Sequence, residues 1–172
     1  AKRQKQVFET IWSPIEDNAK DRLKNNSLVS EFIRDYLTLK NKRIPRKNNV
    51  YDEFRSMFAD KNNESFNQEL EQIKSLSYHY NNFINPSSVK DQRIRKELDY
   101  INRLEINVAY PFLLQVFEDE DKLYLDLNLN EVYKIITQTA YYLQKAQIEV
   151  ILPEELNNII IPRASINAKV KE

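Results

Sequence analysis

The sequence contains no glycine and no cysteine, and it has a single histidine. Without cysteine the chain can form no disulfide, no thiolate metal site and no cysteine nucleophile. Without glycine it has none of the glycine-based loops that cradle phosphates, nucleophile elbows or tight hairpins. One histidine is too few for a histidine-rich metal site or a histidine-based nuclease motif. We therefore expect no catalytic residue, no metal site and no cofactor in this chain.

The sequence also lacks a bias of charge or a long apolar run. Its 172 residues include 26 basic and 26 acidic side chains, so the formal net charge is zero, whereas a protein that coats DNA is usually basic. Hydrophobic residues make up 41% and charged residues 30%, which is typical of a globular domain. No apolar run approaches the roughly 20 residues that cross a bilayer. Residues 1–4 do not resemble a signal peptide, so we expect a cytoplasmic protein without a membrane partner.

Apolar residues recur at spacings of three and four between six prolines, which is the period of the α-helix. Asn is plentiful at the connections and can adopt the left-handed conformation at helix ends. No repeat of fixed period is visible. The sequence therefore predicts an all-α fold, an irregular bundle of about seven helices with short connections marked by Asn and Pro. We expect one domain over residues 1–162 and a flexible tail over residues 163–172.

Local signals predict where helices begin and end. Caps are predicted at Ser27, at Asn48 or Asn49, at Ser87 and Ser88, and at Asn130. Residues 17–25 are interpreted as a weak polar helix and residues 118–121 as a solvated break. Pro111 either kinks a helix or begins a new one, and residues 148–152 fit a helix end or a short strand. A last short helix is predicted over residues 154–160.

Two polar features are candidates for chemistry. His79 could act as a general base, but no motif places a nucleophile near it, and a lone histidine is more often structural. The acidic run 118–121 could bind a hard cation such as Mg²⁺. However, consecutive helical residues point around the axis and do not converge. We interpret the histidine as structural and the acidic run as solvated surface.

Two clusters of basic residues are candidates for contact with nucleic acid. The first, here called the basic turn, connects two predicted helices and comprises Lys40, Lys42, Arg43, Arg46 and Lys47. The second lies on one predicted helix and comprises Lys90, Arg93, Arg95, Lys96 and Arg103. Either could neutralise phosphates with salt-dependent affinity. The simpler interpretation, which we favour for both, is a solvated surface balanced by acidic neighbours.

Aromatic residues make up 11% of the chain. Several of them have the spacing of a helix face that points inward, namely Phe32, Tyr36, Phe54, Phe58 and Phe112. We interpret them as core residues first and as platforms for stacking bases second.

Three strings occur in the order and at the approximate spacing of a known family. The sharpest is EFIRDYLTLK at 31–40, which continues with RIPRK and VYDEF between residues 43 and 54. FETIWSPIE at 8–16 precedes it, and LEINVAYPFLL at 104–114 follows it. Together they resemble the helical middle region of the GmrSD-type family of modification-dependent restriction endonucleases and its bacterial relatives.

The resemblance implies a place in a larger protein. Full-length members resemble a tandem enzyme with a nucleotide-binding domain of ParB/sulfiredoxin-like fold, a helical region and a C-terminal HNH-type nuclease domain. The chain lacks the Asp-Gly-Gln-Gln-Arg type motif of the first domain and the histidine motif of the last. Over most of residues 8–117 it would be the helical middle. YLQK at 142–145 departs from the family, which has an arginine pair there.

We therefore expect a non-catalytic linker or scaffold, excised from a bacterial DNA-defence protein that is an NTP-dependent endonuclease. Its partners would be the flanking domains of the same parent chain and DNA, the latter through the basic turn. The alternative is a stand-alone helical module for protein–protein interaction, which the aromatic content and the absence of a catalytic constellation support. The sequence does not predict an oligomeric state.

Overall fold

The predicted all-α fold is confirmed by the computed structural model, which describes residues 2–122 and 127–151. Its helices are α1 (Lys2–Val7), α2 (Ser13–Asn18), α3 (Val29–Asn41), α4 (Val50–Met57), α5 (Asn63–Ile84), α6 (Gln92–Arg103), α7 (Tyr110–Asp121) and α8 (Leu129–Ile151). A π-helical segment, Phe8–Trp12, joins α1 to α2, and 3₁₀ turns lie at Lys47–Asn49, Pro86–Ser88 and Asn107–Ala109. Among these elements, no helix has the length and apolarity to cross a membrane.

Helix α5 lies at the centre of the bundle and packs against α2, α3, α6 and α7, while α8 packs against α6 and α7. Ile73, Leu76, Tyr80 and Phe83 of α5 are almost completely buried. They recur at three and four residues, so they form one stripe along the helix. Burial of a large apolar side chain stabilises a fold by about 1.5–3 kcal/mol, and this stripe is therefore a major part of the core.

The helices that carry two of the family-like strings also pack against each other, because α3 contacts α7. The predicted stripe of α3 is buried at Phe32, Ile33, Tyr36 and Leu37, and α7 buries Tyr110, Leu113 and Leu114. The rings of Phe32 and Tyr80 lie 5.1 Å apart, and those of Tyr80 and Tyr110 lie 5.8 Å apart. Phe112, in the string at 104–114, is 54% exposed, so its assignment to the core is wrong.

The caps of α6 and α8, like that of α3 described below, differ from the predicted ones. Ser87 and Ser88 lie in the 3₁₀ turn before α6, and Asp91 caps that helix by accepting hydrogen bonds from two backbone N–H groups of its first turn. Asn128 caps α8 in the same way, in place of Asn130. Any of these side chains could satisfy the free N–H groups of a first turn. The sequence alone therefore did not decide between them.

The weak helix predicted over residues 17–25 is wrong beyond Asn18, which ends α2. A short antiparallel pair, β1 (Lys20–Asp21) and β2 (Asn26–Ser27), occupies this segment. Leu28, and not the predicted Ser27, is the N-cap residue of α3, without a side-chain hydrogen bond. The turn needs a left-handed residue, which Asn25 supplies with φ of 51°. A hairpin is therefore possible without glycine.

Two further non-glycine residues adopt the left-handed conformation. Lys42 has φ of 51° at the C-terminal end of α3, and Glu105 has φ of 55° after α6. Asparagine is expected in this conformation at helix ends, but Lys42 and Glu105 occupy these two, and Asn25 adopts it in a hairpin turn. This conformation costs roughly 1–2 kcal/mol for a residue with a Cβ atom, so the surrounding packing must fix these turns.

The C-terminal half resolves two open alternatives. Pro111 begins a new helix, since it lies in the first turn of α7. Residues 118–121 form the last turn of α7, so a solvated break there is wrong. Residues 148–151 belong to α8 and are helical. The helix predicted over 154–160 and the tail 163–172 lie outside the described residues.

Candidate functional site

The basic turn runs from the end of α3 to the start of α4, and two of its cations are paired. Lys40 Nζ lies 2.9 Å from a carboxylate oxygen of Glu69 and donates to Gln72 Oε1 at 2.8 Å. Arg43 donates to Glu53 Oε2 at 2.9 Å. These contacts tie the turn to α5 and α4. They leave less positive charge for an external ligand.

The remaining three cations of the turn are Lys42, Arg46 and Lys47. Their side chains are exposed, and within residues 2–122 and 127–151 none has a hydrogen bond or an ion pair. An exposed cation without an internal partner is available for a phosphate group. Of the five predicted contact residues, these three therefore remain as candidates on geometric grounds.

Glu69 explains why Lys40 belongs to the fold. The Tyr36 hydroxyl and the Lys40 and Lys61 ammonium groups all donate to its carboxylate, and both lysine distances are 2.9 Å. Burial alone would raise the pKa of Glu69, but these hydrogen bonds outweigh burial and lower the pKa to about 2. Two donors from α3 and one from the segment before α5 thus converge on one anion.

A groove lined by aromatic side chains lies beside the basic turn, between the N-terminal helical segment, α4 and the start of α5. Its volume is about 710 Å³. The aromatic lining consists of Phe8, Trp12, Tyr51, Phe54, Phe58 and Phe66. Four of these rings form a contact series, with centroid distances of 6.1 Å, 5.1 Å and 5.0 Å from Trp12 through Phe54 and Phe58 to Phe66. We call this feature the aromatic groove.

The sequence did not reveal the groove, because Phe54 and Phe58 were predicted as core. Both are only partly buried, and Phe8 and Tyr51 are 52% and 71% exposed. The helical period identifies the inward face of α4, but it does not indicate whether another helix covers that face. A cluster of neighbouring exposed aromatic side chains is uncommon on a protein without a partner.

Polar side chains on the groove wall carry positive charge or none. They are Gln4, Arg55, Lys61, Asn63 and Asn67, and no carboxylate contributes to the lining. Lys61 is bound to Glu69, whereas Arg55 is exposed and has no side-chain partner among the described residues. A concave apolar site with a few polar groups is the usual form of a ligand site. The charge of this one favours an anionic ligand.

A stripe of three residues connects the basic turn to the aromatic groove. Tyr51 and Arg55 are four positions apart within α4 and therefore lie on one helix face, and Lys47 lies in the 3₁₀ turn directly before α4. All three are exposed. Tyr51 and Arg55 also line the groove. We call this feature the α4 stripe.

Two of the five cations of the second basic cluster are paired with acidic side chains. Its three arginines are bound within or next to α6, Arg93 to Asp91, Arg95 to the Val89 carbonyl and Arg103 to Asp99. Lys90 and Lys96 are exposed without a partner in the described part of the chain. The cluster is largely exposed, as the solvated interpretation expects, but acidic neighbours balance only part of its charge.

His79 is buried on α5 and faces two residues of the acidic run. Its Nε2 atom lies 3.4 Å from Glu118 Oε2 and 3.3 Å from Asp121 Oδ2, without hydrogen-bond geometry to either. Glu118 is only 4% exposed and accepts a hydrogen bond from Ser75, so the solvated interpretation is wrong for it. Glu118 and Asp121 are three residues apart and therefore share a helix face.

The histidine cluster joins α5 to α7. Burial lowers the pKa of His79, while the carboxylates of Asp121 and Glu118 oppose this effect. Within residues 2–122 and 127–151, no group of three His, Asp or Glu side chains is arranged to hold a metal ion. The cluster can exchange a proton, and its position fits a contact between helices.

Asp35 is a further perturbed acid, and it lies in the sharpest of the family-like strings. Burial raises its pKa to about 7, although Arg34 partly offsets this. Burial and the charge of Asp35 also raise the pKa of Tyr80 and of Tyr110. Strongly perturbed acids are common both in active sites and in structural networks, and here the surroundings are core tyrosines.

The geometry thus offers two surfaces for a ligand, the unpaired part of the basic turn and the aromatic groove, and the α4 stripe joins them. Comparison with known proteins identifies no relative, because no family model, curated protein or solved structure matches the chain.

Proposed function

We propose that this chain is a non-catalytic helical scaffold in a GmrSD-like DNA restriction protein of the bacterial cytoplasm. It would couple an N-terminal nucleotide-binding domain to a C-terminal HNH-type nuclease domain, both outside this sequence. The observation that carries the proposal is the order and spacing of the three family-like strings. Two of them supply the buried surfaces with which α3 and α7 pack.

The central helix suits a scaffold. Helix α5 has 22 residues and is therefore about 33 Å long at 1.5 Å per residue. Buried contacts with four other helices hold it in place. A packed bundle can transmit a change in domain orientation if it has two discrete arrangements. The partners in this proposal are the flanking domains of the parent chain.

The same proposal includes a DNA contact through the basic turn. Lys42, Arg46 and Lys47 would neutralise phosphates, while Lys40 and Arg43 hold the turn in shape. Titration of labelled duplex DNA at about 50 and 200 mM salt tests this. Replacing the three unpaired cations with Ala should weaken binding and reduce the salt dependence. The matched control replaces Lys90 and Lys96, which are also unpaired, and binding that is equally weak in both variants would refute the contact.

The scaffold role is tested by the parent reading frame. An upstream motif of the Asp-Gly-Gln-Gln-Arg type and a downstream HNH motif would support it, and stop codons at both ends would overturn it. In such a parent protein, Leu113→Ala at the α3–α7 contact should reduce nucleotide stimulation of DNA cleavage. Nucleotide binding itself should not change.

The alternative function is a stand-alone module for protein–protein interaction. The exposed rings of Phe8 and Tyr51 in the aromatic groove favour it. A stable complex with one purified protein, formed without DNA and lost on Tyr51→Ala, would support this alternative over the scaffold.

A further inference from the structure

We propose that the aromatic groove and the α4 stripe bind single-stranded nucleic acid. Unpaired bases would stack against the groove rings, and the phosphates would lie along the stripe toward the basic turn. The inference depends on the proposed DNA contact in one respect only, namely that the basic turn binds the phosphate backbone of the ligand. It does not depend on the scaffold role, and it can be measured on this chain alone.

The shape of the groove sets the first condition for the ligand. Its volume of about 710 Å³ falls within the range of small-ligand sites, and its walls are flat rings in mutual contact. Aromatic side chains stack with any nucleobase. A duplex keeps its bases inside the helix, so only an unpaired or extruded base can enter such a groove.

The charge of the groove sets the second condition. The lining combines one unpaired cation, Arg55, with three amides and no carboxylate, while the charge of Lys61 is bound to Glu69. This set fits an anion that also has polar edges. Arg55 has no internal partner in the described residues, and its guanidinium can bind a phosphate through two parallel hydrogen bonds. The amides of Gln4, Asn63 and Asn67 can bond to the edges of bases.

The α4 stripe sets the third condition, which is continuity. The order cation, aromatic, cation at Lys47, Tyr51 and Arg55 leads from the unpaired basic turn into the groove. Sites for single strands combine a positive track for the backbone with rings for successive bases. An apolar peptide would need the rings but would gain nothing from the charged track, so the arrangement favours nucleic acid.

The chain contains its own probe of the groove. Trp12 is the single tryptophan of the sequence, and it lies on the groove wall. A base that stacks there should quench its fluorescence. We would titrate the chain with oligothymidine of about 12 nucleotides and with a duplex of the same length, at about 50 and 200 mM salt. The expected result is quenching by the single strand, with affinity at least about fivefold above that for the duplex.

Two variants and two matched controls locate the site. Tyr51→Ala should weaken single-strand binding by about fivefold or more, and Arg55→Ala should also reduce the salt slope by about 0.7. Tyr78→Ala and Lys96→Ala remove an exposed aromatic ring and an unpaired cation elsewhere. Both controls should bind as the unmodified chain does. All four side chains are exposed, so circular dichroism should show unchanged folding.

Each other outcome overturns the inference in a distinct way. If only replacement of Lys42, Arg46 and Lys47 weakens binding, the groove is not the site and the contact of the basic turn stands. If a tryptophan-free aromatic peptide quenches Trp12 and oligothymidine does not, the groove serves a protein partner. If neither the single strand nor the duplex binds, the groove inference and the basic-turn contact fail together. The scaffold role is then still decided separately, by the parent reading frame.

Discussion

Two aromatic clusters in this bundle contain similar side chains at similar ring distances, but they differ in solvent exposure. In the core, rings of α3, α5 and α7 lie 5.1–5.8 Å apart and are almost completely buried. In the aromatic groove, neighbouring rings lie 5.0–6.1 Å apart and remain partly open to solvent. The core rings lie where α3, α5 and α7 pack against one another, whereas the groove rings lie between the N-terminal segment, α4 and the start of α5. Ring contact therefore does not distinguish the core from the exposed groove, whereas the degree of burial does.

The largest expected effect comes from removing one phenylalanine from each cluster. Phe83→Ala should lower the free energy of unfolding by about 3–5 kcal/mol, because it leaves a cavity among fully buried rings. Phe54→Ala should cost only about 1–2 kcal/mol, since its ring already contacts water. Urea denaturation measures both values. Equal losses of unfolding free energy would mean that the two clusters do not differ in burial.

The next effect concerns Glu69, which links the clusters by binding Tyr36 of the core and Lys61 of the groove wall. Glu69→Ala should lower the free energy of unfolding by about 2–3 kcal/mol at pH 7, because three donors lose their acceptor. The control is Glu71→Ala, whose carboxylate is 60% exposed. A similar loss in both variants would show that the Glu69 cluster is ordinary surface charge.

The pH dependence of that loss has a definite sign. The pKa of Glu69 is about 2 in the folded chain, against an ordinary value of 4.5. Its contribution is therefore complete above pH 4.5 and disappears as the pH falls toward 2. The difference between the unmodified chain and Glu69→Ala should shrink accordingly between pH 5 and pH 2.

Asp35 should behave in the opposite way. Its pKa is raised from 3.8 to about 7 in the folded chain, so the folded state holds the proton more tightly and stability falls as the pH rises between these values. Asp35→Asn should therefore stabilise the core by about 2 kcal/mol at pH 8, roughly half the full linkage value because the residue is partly exposed. At pH 4 and below it should have little effect. A gain that is the same at both pH values, or a gain from the exposed control Asp60→Asn, would contradict this assignment.

The smallest expected effect on stability is that of Tyr51→Ala. The ring is 71% exposed, so the free energy of unfolding should change by less than about 0.5 kcal/mol. A loss similar to that of Phe54→Ala would place Tyr51 in the fold and remove it from the list of groove residues available to a ligand.

The sequence predicted the elements whose signals are local. The stripe of α3 recurs at the helical period within one segment, and Pro111 marks a helix start through its own ring geometry. The caps of α6 and α8 were misplaced because several polar residues precede each helix. The β1–β2 hairpin was missed because Asn25 replaces the glycine that normally signals such a turn.

The candidate site depended on contacts that no local pattern contains. The basic turn was recognised as a cluster, but its division into paired and unpaired cations depends on Glu69, which is 29 residues from Lys40. Likewise, the groove forms where three separate segments meet around Phe54. Burial of Glu118 follows from its position opposite His79. Each of these requires the packing of helices, which periodicity does not provide.

The backbone conformation and the side-chain charge of Lys42 favour different residues at this position. Its left-handed backbone ends α3, and a glycine there would remove a steric cost of roughly 1 kcal/mol. The same residue carries one of three unpaired positive charges of the basic turn. Lys42→Gly would thus strengthen the fold and weaken the attraction for phosphate. If that charge is used, this position is an evolutionary compromise in which the chain accepts lower stability in order to keep a cation.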